Sequence, residues 1–206
     1  MNYAQMTELE LDALKEVGNI GAAHAATALS QIVERTILIN VTRVNIIPVE
    51  AIAHLVGGPQ GKVAAVHLKI LGDVLGGMAF LLEWENALAL SEILSKRPQG
   101  SLQEFSELEA SGLKEAGSIL SAAYLRAIGE LMRMPLIPTV PSLLCGEVQS
   151  VLEKILKELK KRAETAFCIE TEFVEASHRI TGHFLLIPEV KVLRLMLQAL
   201  GIGGKP

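Results

Sequence analysis

The chain has 206 residues, of which 50% are apolar, 20% are charged and 4% are aromatic, and its formal net charge is −4. This length allows one domain of ordinary size or two small fused repeats, and the apolar share excludes a disordered chain. The nearly balanced charge argues against nucleic-acid binding through a broad basic face. Mean hydropathy is +0.38, but the longest charge-free run, Val17–Val33, is too polar and too short to span a membrane.

The N-terminus and the cysteine content indicate the compartment. The N-terminus is acidic and lacks the basic-then-apolar order of a signal peptide. The two cysteines, Cys145 and Cys168, can form neither a disulfide framework nor a four-ligand zinc site. The five histidines include no pair at the helical spacing of a metal site. We therefore expect a cytoplasmic protein without a metal of its own.

An internal repeat organises the chain. Residues 7–28 align with residues 106–127 at a constant offset of 99, and ten of the 22 aligned pairs are identical. Both copies open with a capping-box pattern, in which Thr7 or Ser106 precedes a Glu by three residues. The repeat predicts two equivalent helices that begin near residues 8 and 107.

The rest of each half shows strand and helix patterns in turn. The first half predicts strands, glycine turns, a strand and a helix, at Thr36–Val49, Lys62–Ile70, Gly72 with Gly76 and Gly77, Met78–Leu82, and Asn86–Leu94. The second half predicts a helix, two strands and a helix, at Val151–Ala163, Phe167–Phe173, Gly182–Ile187, and Pro188–Leu200.

These patterns predict an α+β fold with a pseudo-twofold internal duplication and one largely antiparallel sheet. The chain would then be a single domain of two repeats, at about 7–95 and 106–201, joined by a short linker near 96–105. A single half could not cover both faces of its own strands, so the two halves would share one sheet and carry two equivalent long helices.

Each repeated helix carries two stripes. In the first helix, small and apolar residues at three- and four-residue steps predict the buried side, namely Leu11, Leu14, Gly18, Ala22, Ala25 and Leu29. A second stripe contains Asp12, Glu16 and Asn19, and its counterparts in the other helix are Ser111, Glu115 and Ser118. The second stripe is either a surface that acts on a docked partner or a solvated face on which Glu16 pairs with a nearby Lys.

The residues Leu14–Ala22 and their second copy resemble the CheC family of bacterial chemotaxis proteins, which also includes CheX and the CheC-like part of FliY. The family motif has Asp or Ser, three residues, Glu, two residues, Asn, twenty-two residues and Pro. The first copy has Asp12, Glu16 and Asn19, with Thr42 at the Pro position, whereas the second has Ser111, Glu115 and Pro141, with Ser118 at the Asn position. The presence of both copies favours a relative of CheC over the single-site CheX kind.

The resemblance implies a phosphatase that acts on the phosphorylated response regulator CheY. Asn19 would orient the attacking water, Glu16 would pair with a Lys of the regulator, and the regulator would supply the Mg²⁺. Because a Ser side chain is shorter than an Asn side chain, we expect the Glu115 and Ser118 site to be weak or inactive while still able to dock the regulator.

The resemblance also implies an alternative from another functional class, an adaptor that mainly binds the receptor deamidase CheD and has residual phosphatase activity. Ser118 and Thr42 are the departures from the motif that favour it. The amphipathic segment Val151–Ala163 is either an ordinary core helix or a surface that contacts CheD.

Overall fold

The computed structural model describes residues 8–71, 76–158, 165–176, 178–188, 195 and 198–199; the side chains of residues 8–11 and 158 lie outside this description. The elements in chain order are α1 (Glu8–Val33), β1 (Leu38–Pro48), a 3₁₀ turn (Val49–Ala51) that runs into α2 (Ile52–Leu55), β2 (Lys62–Leu71), β3 (Gly76–Glu83), α3 (Trp84–Leu94), α4 (Glu107–Met132), β4 (Ile137–Pro138), β5 (Ser142–Glu147), α5 (Val148–Glu158), β6 (Thr165–Glu175) and β7 (His178–Pro188).

All strands pair antiparallel in one sheet of order β1-β6-β7-β3-β2, with β4 and β5 both on the outer edge of β2. The predicted α+β class and the largely antiparallel sheet are therefore confirmed. At the centre, Phe80 of β3 lies opposite Phe184 of β7, and their rings stack with centroids 4.5 Å apart. The long side chains at this point anchor the middle of the core.

Helices cover both faces of the sheet. On one face, α1, α3 and α4 pack on side chains such as Phe80, Phe167 and Phe184. On the other face, α2 and α5 pack on side chains such as Leu81 and Leu185. Because the central strands are covered on both sides, β3 is buried continuously over Gly77–Leu82 instead of alternating.

The two repeated helices begin where the capping boxes predict. Both α1 and α4 contain 26 residues, and their first residues are 99 positions apart. In α4 the Ser106 hydroxyl accepts from the backbone N–H of Leu108, while the Glu109 carboxylate accepts from the backbone N–H of Ser106. The corresponding cap at Thr7 lies outside the described residues.

Two sequence predictions are wrong in detail. Gly76 and Gly77 were expected in a turn, but they are the first residues of β3. A Cβ on Gly76 would lie only 2.8 Å from the carbonyl oxygen of Ile187 in the paired strand, so this glycine allows close strand approach. The predicted turn position Gly72 and most of the predicted helix Pro188–Leu200 lie outside the described residues.

The amphipathic segment is a core helix. Its apolar residues Val148, Val151 and Ile155 are buried on α5, facing the sheet. The alternative of an exposed apolar docking stripe is therefore wrong for the part that the structure describes, and the predicted extension to Ala163 lies outside it.

The connection between α3 and α4 is fastened by a buried carboxylate. Glu92 accepts hydrogen bonds from the backbone N–H groups of Gly100, at 2.9 Å, and Leu102, at 2.7 Å. Arg97 pairs with the buried Glu109 at 2.9 Å. The predicted linker is thus irregular in conformation but tied to both helices. Among the described residues, no helix is long and apolar enough to cross a membrane.

Candidate active site

The first copy of the motif lies on the outward face of α1. Asp12, Glu16 and Asn19 are all exposed, and their spacing of four and three residues stacks them on one side of the helix. The opposite side is fixed on the sheet at Gly18, where an added Cβ would lie 3.5 Å from the nearest Val41 side-chain atom. Because the buried side is fixed, the orientation of the motif face is fixed as well.

Glu16 and Asn19 have no internal partners. Within residues 8–188 as described, no hydrogen bond or ion pair engages either side chain. The alternative in which Glu16 pairs with a nearby Lys is therefore not observed. The carboxylate and the carboxamide are both free to interact with a partner protein.

The second copy of the motif has a similar but unequal arrangement on α4. Ser111 and Glu115 are exposed, whereas Ser118 is half-buried. Gly117 brings this part of α4 very close to the sheet, since a Cβ there would lie 2.6 Å from Val66. The second copy therefore presents a shorter and less accessible polar group where the first presents Asn19.

The two motif copies lie at opposite ends of a helix pair. Gly21 of α1 faces Tyr124 of α4, while Ala28 lines a groove with Ile119. Residue numbers thus rise along α1 as they fall along α4, so the helices are antiparallel. Asn19 precedes the shared groove by about one and a half turns on its own helix, as its counterpart does on α4. At 1.5 Å per residue, the two copies are on the order of 15 Å apart along the helix axes, and the fold keeps them as separate sites.

The last position of the motif differs between the halves. Thr42 is the extra residue of a β-bulge in β1, because Val41 pairs with Thr171 and Arg43 with Glu170. Its hydroxyl donates a hydrogen bond to the Glu170 carboxylate at 2.8 Å.

In the second half, Pro141 is half-buried and lies where the edge strand is interrupted between β4 and β5. Proline has no N–H to donate to a strand ladder, whereas threonine has one and lets β1 continue. The substitution at Thr42 thus changes the edge strand and leaves the exposed motif face of α1 unchanged.

The sequence prediction missed the residues that join the two helices. Between α1 and α4 runs a shallow groove of about 350 Å³, with apolar walls and two polar residues, lined by His24, Ala28, Ile119, Ala122, Ala123 and Arg126. Tyr124, beside it, is fully buried and faces Gly21. Its aromatic side chain at a position that the repeat pairs with Ala25 was the only sequence signal for this contact. Among the described residues, no three side chains of the metal-ligating types are grouped to hold an ion.

Comparison with known proteins places this arrangement. The sequence profile of the CheC-like family matches residues 9–46, which contain the first motif copy. The chain is 30% identical over 198 residues to the CheY-P phosphatase CheC of Bacillus subtilis (strain 168), covering 94% of this chain and 95% of that protein.

Solved structures share the fold at lower sequence identity. The crystal structure of Thermotoga maritima FliY matches with a TM-score of 0.78 at 18% identity, covering 95% of this chain and 98% of that chain. A chain of the FliG–FliM complex of H. pylori matches with a TM-score of 0.69 at 12% identity, covering 94% of this chain and 100% of that chain.

The architecture is therefore that of the FliY and FliM class of α+β proteins. Within it, the chain belongs to the CheC-like family, and the resemblance predicted from the motif is confirmed.

Proposed function

We propose that this chain is a phosphatase that hydrolyses the aspartyl phosphate of phosphorylated CheY, the activity for which its B. subtilis relative is named. The observation that supports this function is the pair formed by Glu16 and Asn19. These side chains are exposed, have no internal partner in the described residues, and lie one turn apart on the outward face of α1.

In the proposed mechanism, Asn19 positions the attacking water. The carboxamide oxygen accepts a hydrogen bond from the water, while the NH₂ group donates to an acceptor of the regulator. The water oxygen forms a bond to phosphorus as the bond to the aspartate oxygen breaks, which yields inorganic phosphate and a free carboxylate. CheY supplies the Mg²⁺ that bears the phosphoryl charge, so this chain contributes the alignment of the water.

Glu16 anchors the regulator. An exposed carboxylate without an internal partner can pair with a cation beside the phosphorylation site of CheY. Because this pair lies at the edge of the phosphoryl group, its loss would weaken docking more than the chemical step. No covalent intermediate on this chain is required.

The second motif copy contributes little to hydrolysis in this proposal. Ser118 is shorter than Asn by about two bonds and is half-buried, so its hydroxyl cannot reach the position that the Asn19 carboxamide occupies. Glu115 remains exposed and is available for docking.

The test is the decay of phosphorylated CheY in the presence of Mg²⁺, with and without this protein. Asn19→Ala should remove most of the acceleration, on the order of a hundredfold, because the water is no longer aligned. Gln31→Ala is the matched control, since Gln31 is another exposed carboxamide on α1 and should be dispensable. Glu16→Ala should raise the concentration needed for half-maximal acceleration, and Glu115→Ala should keep most of the activity. Decay no faster than that of CheY alone would refute the proposal.

The adaptor function remains the second candidate because Ser118 departs from the motif. The apolar side of α5 is buried, so a CheD contact there would have to use its exposed polar residues, such as Gln149, Glu153 and Lys154. Capture of CheD without phosphorylation-dependent capture of CheY would favour the adaptor. Capture of CheY that depends on its phosphorylation would favour the enzyme.

A further inference from the structure

The closest approach of the two motif helices is made by a glycine and a tyrosine. A Cβ added to Gly21 of α1 would lie 2.6 Å from Cδ1 and 3.1 Å from Cα of Tyr124 on α4. Carbon atoms in ordinary contact are about 3.5–4.0 Å apart, so an alanine would need a shift of about 1 Å. Gly21 lies half a turn after Asn19 on the same helix.

Tyr124 cannot supply that shift. Its side chain is fully buried, and its ring packs on Phe184 of the central strand β7 with centroids 4.5 Å apart. The Tyr124 backbone is itself within 3.1 Å of the added methyl group, so rotation of the ring alone would not remove the contact. Because interiors are close-packed, displacement would fall on α1, whose outer face is free.

This contact favours one motif copy over the other. At the offset of 99 residues, the counterpart of Gly21 is Leu120 and the counterpart of Tyr124 is Ala25. The reciprocal contact would therefore place a leucine against an alanine, without an aromatic ring. Only α1, which carries Asn19, rests on a tyrosine.

We propose that Tyr124 is a positioning residue for the first motif copy. Its ring, packed on Gly21, sets the height and rotation of α1, so that Asn19 reaches the attacking water when the regulator is docked. This inference rests on the proposed phosphatase function. A displacement of about 1 Å in a positioned group can lower a rate on the order of a hundredfold.

Gly21→Ala is the decisive variant, and Gly18→Ala is its matched control. Both changes replace a buried glycine of α1 by alanine, but a Cβ at Gly18 would meet its neighbours at 3.5–3.6 Å, an ordinary contact distance. For phosphorylated CheY, Gly21→Ala should lower kcat by about tenfold to a hundredfold. Its KM should change much less, because Glu16 still docks the regulator. Gly18→Ala should leave both constants near the wild-type values.

A complementary pair of changes separates positioning from a general loss of structure. Gly21→Ala combined with Tyr124→Leu should recover kcat, since the smaller side chain makes room for the methyl group. Tyr124→Leu alone should lower kcat because α1 loses its support. Tyr124→Phe should not lower kcat, because it keeps the ring that contacts Gly21. These variants also decide the question if Gly21→Ala alone does not fold.

The outcomes are distinguishable from failure of the proposed function. An active wild-type protein in which Gly21→Ala matches Gly18→Ala in kcat would overturn the positioning inference alone. Absence of recovery in the double variant, with both single variants folded, would also overturn it. A wild-type protein that does not accelerate the decay of phosphorylated CheY would instead remove the phosphatase function, and the positioning role with it.

Discussion

Replacement of Gly117 by alanine should destabilise the protein, whereas the same replacement at Gly18 should stabilise it. The two glycines are counterparts in the repeat, and each lies inside a 26-residue helix. In a helix interior, alanine is favoured over glycine by about 1 kcal/mol. The two positions differ in the space that a methyl group would find.

At Gly18 the new Cβ would lie 3.5 Å from the side chain of Val41, so the full gain of about 1 kcal/mol should appear. At Gly117 it would lie 2.6 Å from both Cβ and Cγ1 of Val66. Valine is held in its rotamer on β2, and overpacking of this kind costs about 1–3 kcal/mol. The net change for Gly117→Ala is then a loss of about 1 kcal/mol. The free energies of unfolding of the two variants should differ by about 2 kcal/mol.

Urea denaturation followed by circular dichroism measures these free energies, provided that the m-values agree. The variant Gly117→Ala/Val66→Ala is the control, because removal of the Val66 methyl groups should relieve the contact. The coupling energy of this double-mutant cycle should be at least about 1 kcal/mol. Equal stabilities for Gly18→Ala and Gly117→Ala, within about 0.5 kcal/mol, would show that α4 is not seated on β2 as described.

Two further predictions concern buried polar groups. Glu92→Ala should lower the free energy of unfolding by about 2–3 kcal/mol in urea denaturation, because it leaves the Gly100 and Leu102 N–H groups without an acceptor. In contrast, Glu130→Ala, which breaks an exposed pair with Arg126, should cost less than about 0.5 kcal/mol, and equal costs would contradict this reasoning. Burial lowers the pKa of His183 against the opposing effect of nearby carboxylates, so the folded state disfavours its protonation. Stability should be fully present above about pH 6.5 and should fall as the pH drops below it, by at most about 1.4 kcal/mol per pH unit. In melts across this range, His183→Gln should flatten the pH dependence, and an unchanged profile would count against the assignment.

The repeated helices were predictable because their signals are local. The capping box at Ser106 and the three- and four-residue spacing of small side chains fix where α4 begins and which side of α1 is buried. Once Gly18 was assigned to the buried side, the exposed positions of Glu16 and Asn19 followed from the geometry of the helix. The side-chain face of the candidate site therefore needed no knowledge of the sheet.

The edge strands of the second half were not predictable for the opposite reason. Residues 134–141 contain three prolines and no alternation of apolar and polar residues, so they lack the pattern of a strand. Strands β4 and β5 exist because both pair with β2, which is far away in sequence. The contact of Tyr124 with Gly21 is non-local in the same way, since it depends on the antiparallel packing of two helices that lie about a hundred residues apart.

The strand order supports the predicted duplication, which remains an inference. Exchange of β1 with β4 and β5, of β6 with β2, and of β7 with β3 leaves the order of the sheet unchanged. The exchange brings Phe80 and Phe184, which occupy matching positions in the two halves, opposite each other at the centre. A duplicated fold of this kind would by itself give two equal sites.

The sites are unequal because the halves differ at the surface where α1 meets α4. The first half combines Asn19 with a glycine that accepts the Tyr124 ring, and the second half has Ser118 and Leu120 at the matching positions. A water-orienting group is useful only if its helix is held to within about an ångström, so the carboxamide and its support would be expected to occur on the same helix. Their occurrence together on α1 is the reason to assign hydrolysis to the first half and docking alone to the second.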